Sequence, residues 1–382
     1  MTEEISVSKF YVELKKVVDD SYDIEVGRNL FDTLINDLKG ELGKGISKYA
    51  LVTDSTVKEL YGNALHARLL EEGFKVDLIS FPAGEKSKVR ATKEMIEDEM
   101  LAKGHRRDSC IIALGGGVVT DMAGFVAGTF GRGIPFINYS TTILGSADAS
   151  VGGKTAVDTP LATNLIGLIY QPKKVYIDLA TWESLPKEQI SNGLAETIKH
   201  ACIADEAFFE FLEKNIDKLL EEDGIRNHAE ICEHIAEKNC KIKYEVVKQD
   251  EREANLRQIL NLGHTVGRAI ETLSNYSLLH GEAVAIGLAM QVKIGEKLGY
   301  ITKEEVARVI NLIEKAGLPT KLLDSMSTEE VVQKLYTDKK VRKGKIRFVF
   351  QDGIGNVKRY EDGNYSIALE EDFIRDTIAE VR

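Results

Sequence analysis

The feature that most restricts how this chain can fold is a change of texture near its middle. Up to about residue 178, short β-branched apolar runs alternate with charged stretches of helical period; beyond it come long amphipathic segments with few strand signals. The runs at 49–53, 76–81, 109–114, 136–139 and 175–178 have the length and composition of strands. Strands alternating with helices predict βαβ units and a mainly parallel sheet. The stretches 188–203, 206–222, 228–247, 261–275, 280–298, 302–316 and 328–337 repeat apolar residues at three- and four-residue steps and predict helices. Residues 345–350 form a late strand candidate. At 382 residues the chain exceeds the length at which a single core usually stops growing. Two domains are therefore expected, an α/β unit over 1–182 and an all-α-rich unit over 183–382, parted near Leu185-Pro186, a helix-start signal.

Charge narrows the classes of partner. The net charge is -11, with acids and bases mixed along the chain, so there is no footprint for nucleic acid. Phosphate-bearing partners then have to be held by placed cations, backbone N–H groups or a metal ion. No apolar run approaches the roughly 20 residues that cross a bilayer, and no basic segment leads into an apolar signal core, so neither membrane nor export is expected. Four cysteines without close paired spacing fit a reducing cytoplasm.

Two regions carry candidate chemistry. The strand at 109–114 runs into Gly115, Gly116 and Gly117 and then a helical stretch, an arrangement that serves either a tight turn or a phosphate cradle. Asp54 ends an earlier strand, the segment 82–88 follows another, and Thr141-Thr142 follows a third. Polar strand ends at one rim suit a dinucleotide, although capping and turn formation are their commoner roles. In the second half, His264 and His280 each sit beside a glycine at a helix start, and Glu196 and Lys199 lie three apart on one helical face. One glutamate and two imidazoles make a sound Zn²⁺ set with an open position. The spacings of 68 and 16 residues match no recognised metal motif, so surface and capping histidines are the commoner reading at this point. Lys243, the run 250–253 and Arg257 ahead of Asn261 read, by themselves, more readily as an exposed charged face.

Taken together these segments resemble the 3-dehydroquinate synthase family. The resemblance rests on eight motifs in order: GGGVVTD at 115–121, DASVGGKT at 148–155, NLIG at 164–167, GLAETIK at 193–199, DERE at 250–253, NLGH at 261–264, HGEAV at 280–284 and DKK at 338–340. It implies a Rossmann-like N-terminal domain, a helical C-terminal domain and a site in the cleft between them. It implies one Zn²⁺ or Co²⁺ on Glu196, His264 and His280. NAD would be cradled by Asp54, Glu85, Lys88, Gly115, Gly116, Gly117, Asp121, Thr141, Thr142, Asp148, Lys154, Thr181 and Ser184. The implied substrate is a phosphorylated sugar acid, 3-deoxy-D-arabino-heptulosonate 7-phosphate. Lys154, Asn164 and Lys339 or Lys340 would take its phosphate, Lys243 and Arg257 its carboxylate, while Asp148, Lys199 and Asn261 complete the shell. Arg132 resembles the residue that reaches a neighbouring subunit's site, which implies a homodimer.

Two positions depart from the family pattern. Thr163 stands where a lysine is usual before Asn164, and Arg268 stands where a second histidine is usual four residues after His264. An imidazole able to move a proton is thereby replaced by a permanently charged group. Arg268, one turn from His264, is expected to supply positive charge near the phosphate. The competing readings are a sister cyclase acting on sedoheptulose 7-phosphate or glucose 6-phosphate, a metal-dependent polyol dehydrogenase, and a scaffold that keeps only the fold. Lys243, Arg257 and Asn261 favour a substrate with a carboxylate, and the retained Glu196, His264 and His280 argue against a scaffold.

Overall fold

A computed structural model describes residues 11–15, 17–336 and 345–380. Eight strands precede residue 180: β1 (Asp23–Gly27), β2 (Lys48–Asp54), β3 (Val76–Phe81), β4 (Ser109–Gly115), β5 (Phe136–Ser140), β6 (Lys154–Thr159), β7 (Ala162–Ile169) and β8 (Lys174–Asp178). All but β6 and β7 form one parallel sheet in the order β1-β8-β5-β4-β2-β3. Its inner strands read as unbroken apolar runs because both faces are covered. Along β2, Tyr49 and Leu51 pack with Leu34, Leu65 and Leu69 on one side. Ala50 and Val52 pack with Ile96, Met100 and Met122 on the other.

The five strands anticipated from sequence all lie in this sheet, as does β1, which was not expected. From β2 the chain first moves outward to β3 and then returns to lay β4, β5 and β8 on the other side. That reversal between β2 and β4 opens a crevice at their carboxyl ends, where α/β sheets bind ligands. Asp54 and Gly115 are the residues at those ends. The antiparallel pair β6–β7, also unexpected, lies beside the helix Gly117–Thr129.

After residue 186 the predicted helices appear as Lys187–Ala204, Glu206–Asn215, Ala229–Gln249, His264–Leu273, His280–Lys297, Lys303–Lys315 and Thr328–Leu335. The stretch 206–222 is not one helix, since a 3-10 turn, Ile216–Leu220, replaces its second half. The late strand shrinks to β9 (Arg347–Phe348), paired with β10 (Ile367–Ala368), and a last helix, Glu371–Glu380, was not foreseen. One core cluster joins Val175 and Ile177 of β8 to Ile198, Cys202, Phe208 and Leu288 of the helices. The four cysteines are buried and unpaired. No helix among the described residues is long and apolar enough to cross a membrane.

Candidate active site

The helix Lys187–Ala204 is buried continuously over residues 190–203, and that stretch includes Asn192, Glu196, Thr197, Lys199 and His200. Buried polar groups need partners, so this helix marks where side chains from elsewhere must converge. They do so at the floor of a cleft of about 1070 Å³, lined by the sheet's carboxyl ends, the β6–β7 hairpin and the helical half. That exceeds the roughly 300–1,000 Å³ of ordinary small-molecule sites and leaves room for two ligands.

Glu196 is fully buried, and His264 and His280, each the first residue of its helix, bring Nε2 to 3.1 and 3.3 Å from the same Glu196 oxygen. One ligand atom from each of the three lies within 4.8 Å of the others. The second hydrogen bond of each ring decides its proton. His264 Nδ1 lies 3.2 Å from the Leu262 carbonyl and His280 Nδ1 lies 3.2 Å from a Glu271 carboxylate oxygen. Both partners only accept, so each Nδ1 carries hydrogen. When both rings are neutral, two bare nitrogens face a carboxylate oxygen, an arrangement that could hold a cation among them. The nitrogen–nitrogen–oxygen set suits Zn²⁺ or Co²⁺ and leaves room for a substrate oxygen.

The surrounding charges act differently on the three groups, keeping His264 neutral and favouring a charged His280 until an ion displaces its Nε2 proton. Burial pushes the Glu196 carboxyl up, but Lys199, in contact with it, and His264 outweigh burial and hold it well below the usual range. Burial brings the His264 ring down to about 4, against the pull of Glu196. For His280, burial is overcome by Glu271 and Glu196, which hold the ring well above its ordinary value.

At the sheet end, Gly116 caps the helix Gly117–Thr129, whose N-terminus opens onto the cleft. A Cβ on Gly116 would stand 3.1 Å from Thr142, and one on Gly117 3.2 Å from Ala149. Bare backbone amides are what a pyrophosphate needs here. Lys88 lies 2.6 Å from Asp121 and 3.6 Å from Glu85. Burial opposes its charge, yet those carboxylates keep its pKa raised. Asp54 accepts from Thr56 and Val57 N–H at 2.8 and 2.9 Å, so it caps a turn as well as lining the cleft. Thr141, Thr142 and Ser184 line the same end.

Toward the helices, Lys243 pairs with Asp148. Glu253 receives both Lys154, at 2.5 Å, and Asn261, at 2.6 Å. Arg257 is fully buried and donates to the Gly152 carbonyl at 2.9 Å. Asn164 takes a left-handed backbone, φ 53°, and its N–H donates to Asp158 at 2.8 Å. Thr163 and Arg268 both line the cleft, and Arg268 Nη1 is buried with no hydrogen-bond partner among the described residues.

Several expected residues stand elsewhere. Gly115 is buried as the last residue of β4, and Thr181 lies behind the wall, donating to the Thr141 carbonyl at 3.2 Å. Arg132 is exposed, away from this chain's own cleft, with φ 71°. Lys339 and Lys340 lie outside the described residues. Glu271 and Asp158 were missed. The one available signal for Glu271 was its position seven residues, two turns, after His264.

Comparison with known proteins gives the same picture. Residues 78–192 match the sequence model of the 3-dehydroquinate synthase N-terminal region, and residues 193–341 that of its C-terminal region. The 3-dehydroquinate synthase of Pelobacter propionicus is 44% identical over 341 residues, 87% of this chain and 93% of that one. Its counterpart in Thermodesulfovibrio yellowstonii is 43% identical, covering 88% and 94%. Among solved structures, 2-epi-5-epi-valiolone synthase from Streptomyces hygroscopicus subsp. jinggangensis, with NAD⁺ and Zn²⁺ bound, is 27% identical, covers 97% of this chain and 99% of its own, and has a TM-score of 0.84. A 2-deoxy-scyllo-inosose synthase holding carbaglucose-6-phosphate, NAD⁺ and Co²⁺ shares the fold, at 23% identity, 94% and 96% coverage and a TM-score of 0.83. On sequence, fold and cleft alike, this chain belongs to the 3-dehydroquinate synthase family.

Proposed function

We propose that this protein is a 3-dehydroquinate synthase, converting 3-deoxy-D-arabino-heptulosonate 7-phosphate into 3-dehydroquinate and inorganic phosphate with catalytic NAD and one Zn²⁺ or Co²⁺. The observation that carries this reading is the convergence on buried Glu196 of His264 and His280, which line the cleft that also holds the bare Gly116-Gly117 turn. When bound, the ion would lower the pKa of a substrate hydroxyl and NAD would accept and later return a hydride. The chain's own residues bind and orient. Lys154 and Asn164, with Lys339 or Lys340, take the phosphate; Lys243 and Arg257 take the carboxylate; Asp148, Lys199 and Asn261 contact the hydroxyls. Arg268, whose Nη1 lacks a partner, adds positive charge for the phosphate. The phosphate leaves as the neighbouring C–H gives up its proton, and the phosphate itself serves as the base. Positioning and charge stabilisation are then the protein's main work.

The two halves, 1–182 and 183–382, read as an NAD-binding and a metal- and substrate-binding domain. Exposed Arg132 supports a homodimer in which it reaches the neighbouring site. Buried free thiols fit a cytoplasmic enzyme.

The sister-cyclase reading draws on the likeness to 2-epi-5-epi-valiolone synthase and on the departures at Thr163 and Arg268. The test offers metal-loaded protein each of the three sugar phosphates with catalytic NAD and follows inorganic phosphate. Release from the heptulosonate alone, without net change in NADH absorbance, is expected. Release only from sedoheptulose 7-phosphate or glucose 6-phosphate moves the assignment to a sister cyclase, and bulk NADH from a polyol moves it to a dehydrogenase.

A further inference from the structure

The two imidazoles are not held alike. His264 is fixed by a backbone carbonyl two residues before it, whereas His280 depends on a side chain from another helix. Glu271 is buried, and its two carboxylate oxygens lie 3.2 and 3.4 Å from His280 Nδ1. It sits on the His264–Leu273 helix, two turns after His264 and therefore on the same face. One helix thus supplies one ligand directly and orients the other across the gap to the His280–Lys297 helix.

We propose that Glu271 is a positioning residue for the metal centre: it accepts the Nδ1 hydrogen of His280, fixes the ring's tautomer and plane, and so aims Nε2 at the ion. His280 needs this help. Its side chain is 26% exposed, against 5% for His264, so packing alone constrains it less. A carboxylate on the far nitrogen of a metal-binding imidazole also raises its basicity toward the ion, and loss of such a partner typically weakens metal binding about 10- to 100-fold. Glu271 touches neither nucleotide nor sugar in this role, and its effect is read in the metal.

The inference rests on the metal reading above, and the test separates the two. Glu271→Gln and Glu271→Met are both uncharged and close to glutamate in volume, but only glutamine keeps an oxygen to accept the Nδ1 hydrogen. Zn²⁺ dissociation constants are measured by competition with a chromophoric chelator, and the visible spectrum of each Co²⁺-loaded protein is recorded. E271M is expected to bind Zn²⁺ about 10- to 100-fold more weakly than wild type, with altered Co²⁺ bands. E271Q is expected to recover most of the affinity and a wild-type-like spectrum. Wild-type affinity in E271M, or equal losses in both variants, overturns the positioning role while leaving the metal site intact. A wild-type protein that binds neither ion removes the metal reading itself.

Discussion

Lys154 shows how the surroundings of one side chain tune a binding group. Crowding by the cleft walls brings its ammonium down to about 8, although Glu253, 2.5 Å away, works in the opposite direction and 44% of the side chain stays open to solvent. Below that pH the group is cationic and, in its proposed role, attracts phosphate; as pH rises through about 8 the charge is lost. Since kcat/KM follows groups of the free enzyme, it is expected to fall along an alkaline limb near pH 8. Arginine stays charged throughout, so Lys154→Arg should lack that limb; an unchanged profile in the variant assigns the limb to another group. Arg268 allows a second test. Removing a charge-assisted hydrogen bond costs about 1.5–3 kcal/mol, or roughly 10- to 100-fold in kcat/KM. Arg268→Ala should lose about that much in phosphate release, and turnover equal to wild type would exclude the role. That Glu196, His264 and His280, and the lysines and arginines of the cleft, belong to chemistry-bearing segments was legible because their local motifs are dense. Glu271 was not, since an acid inside a helix looks the same whether it faces water or a histidine.

The helices His264–Leu273 and His280–Lys297 meet through glycines, and this contact sets the separation of their first residues. A Cβ on Gly287 would run into the Gly263 carbonyl and stand 2.6 Å from the Gly267 nitrogen. Backbone does not yield as a flexible side chain does, so Gly287→Ala must push the helices apart. Its expected effects are weaker Zn²⁺ binding and a lower melting temperature, read by chelator competition and by calorimetry; if both match wild type, the close crossing does not set the ligand geometry. Periodicity could announce these helices but not their crossing, because glycine inside a helix carries no apolar signal. The hairpin was hidden for a related reason. In β7, Leu165 and Ile166 are exposed and Gly167 lies against the β6 backbone, so the strand lacks alternation with a buried face. β1 escaped notice as a short edge strand, DIEVG, with two acids and only partial burial. The parallel interior strands, covered on both sides, could be read directly.

At the scale of the whole molecule, the change of texture near residue 180 marks a change of architecture but not a break in the core. Val175, Ile177 and Leu179 belong to the same cluster as Leu194, Ile198 and Phe208, so the end of the sheet half and the first helices exclude water together. Sequence reading could see the change from strands to helices but not this continuity, because a residue's pattern does not say which distant face will cover it. The consequence is thermodynamic. Two independent cores would melt separately, and NAD, on the proposal that it sits mainly at the glycine turn, would raise only the sheet's transition. A shared core with a cleft lined from both halves couples them. The free protein is expected to give a single calorimetric transition, and Zn²⁺ or NAD should each move all of it upward. A ligand at 100 times its dissociation constant adds about 2.7 kcal/mol, enough to shift the midpoint by several degrees in a chain this long. Chelation should reverse the metal's share. Two resolved transitions, only one of them responding to NAD, would mean that the contacts of β8 with the helices do not carry stability between the halves.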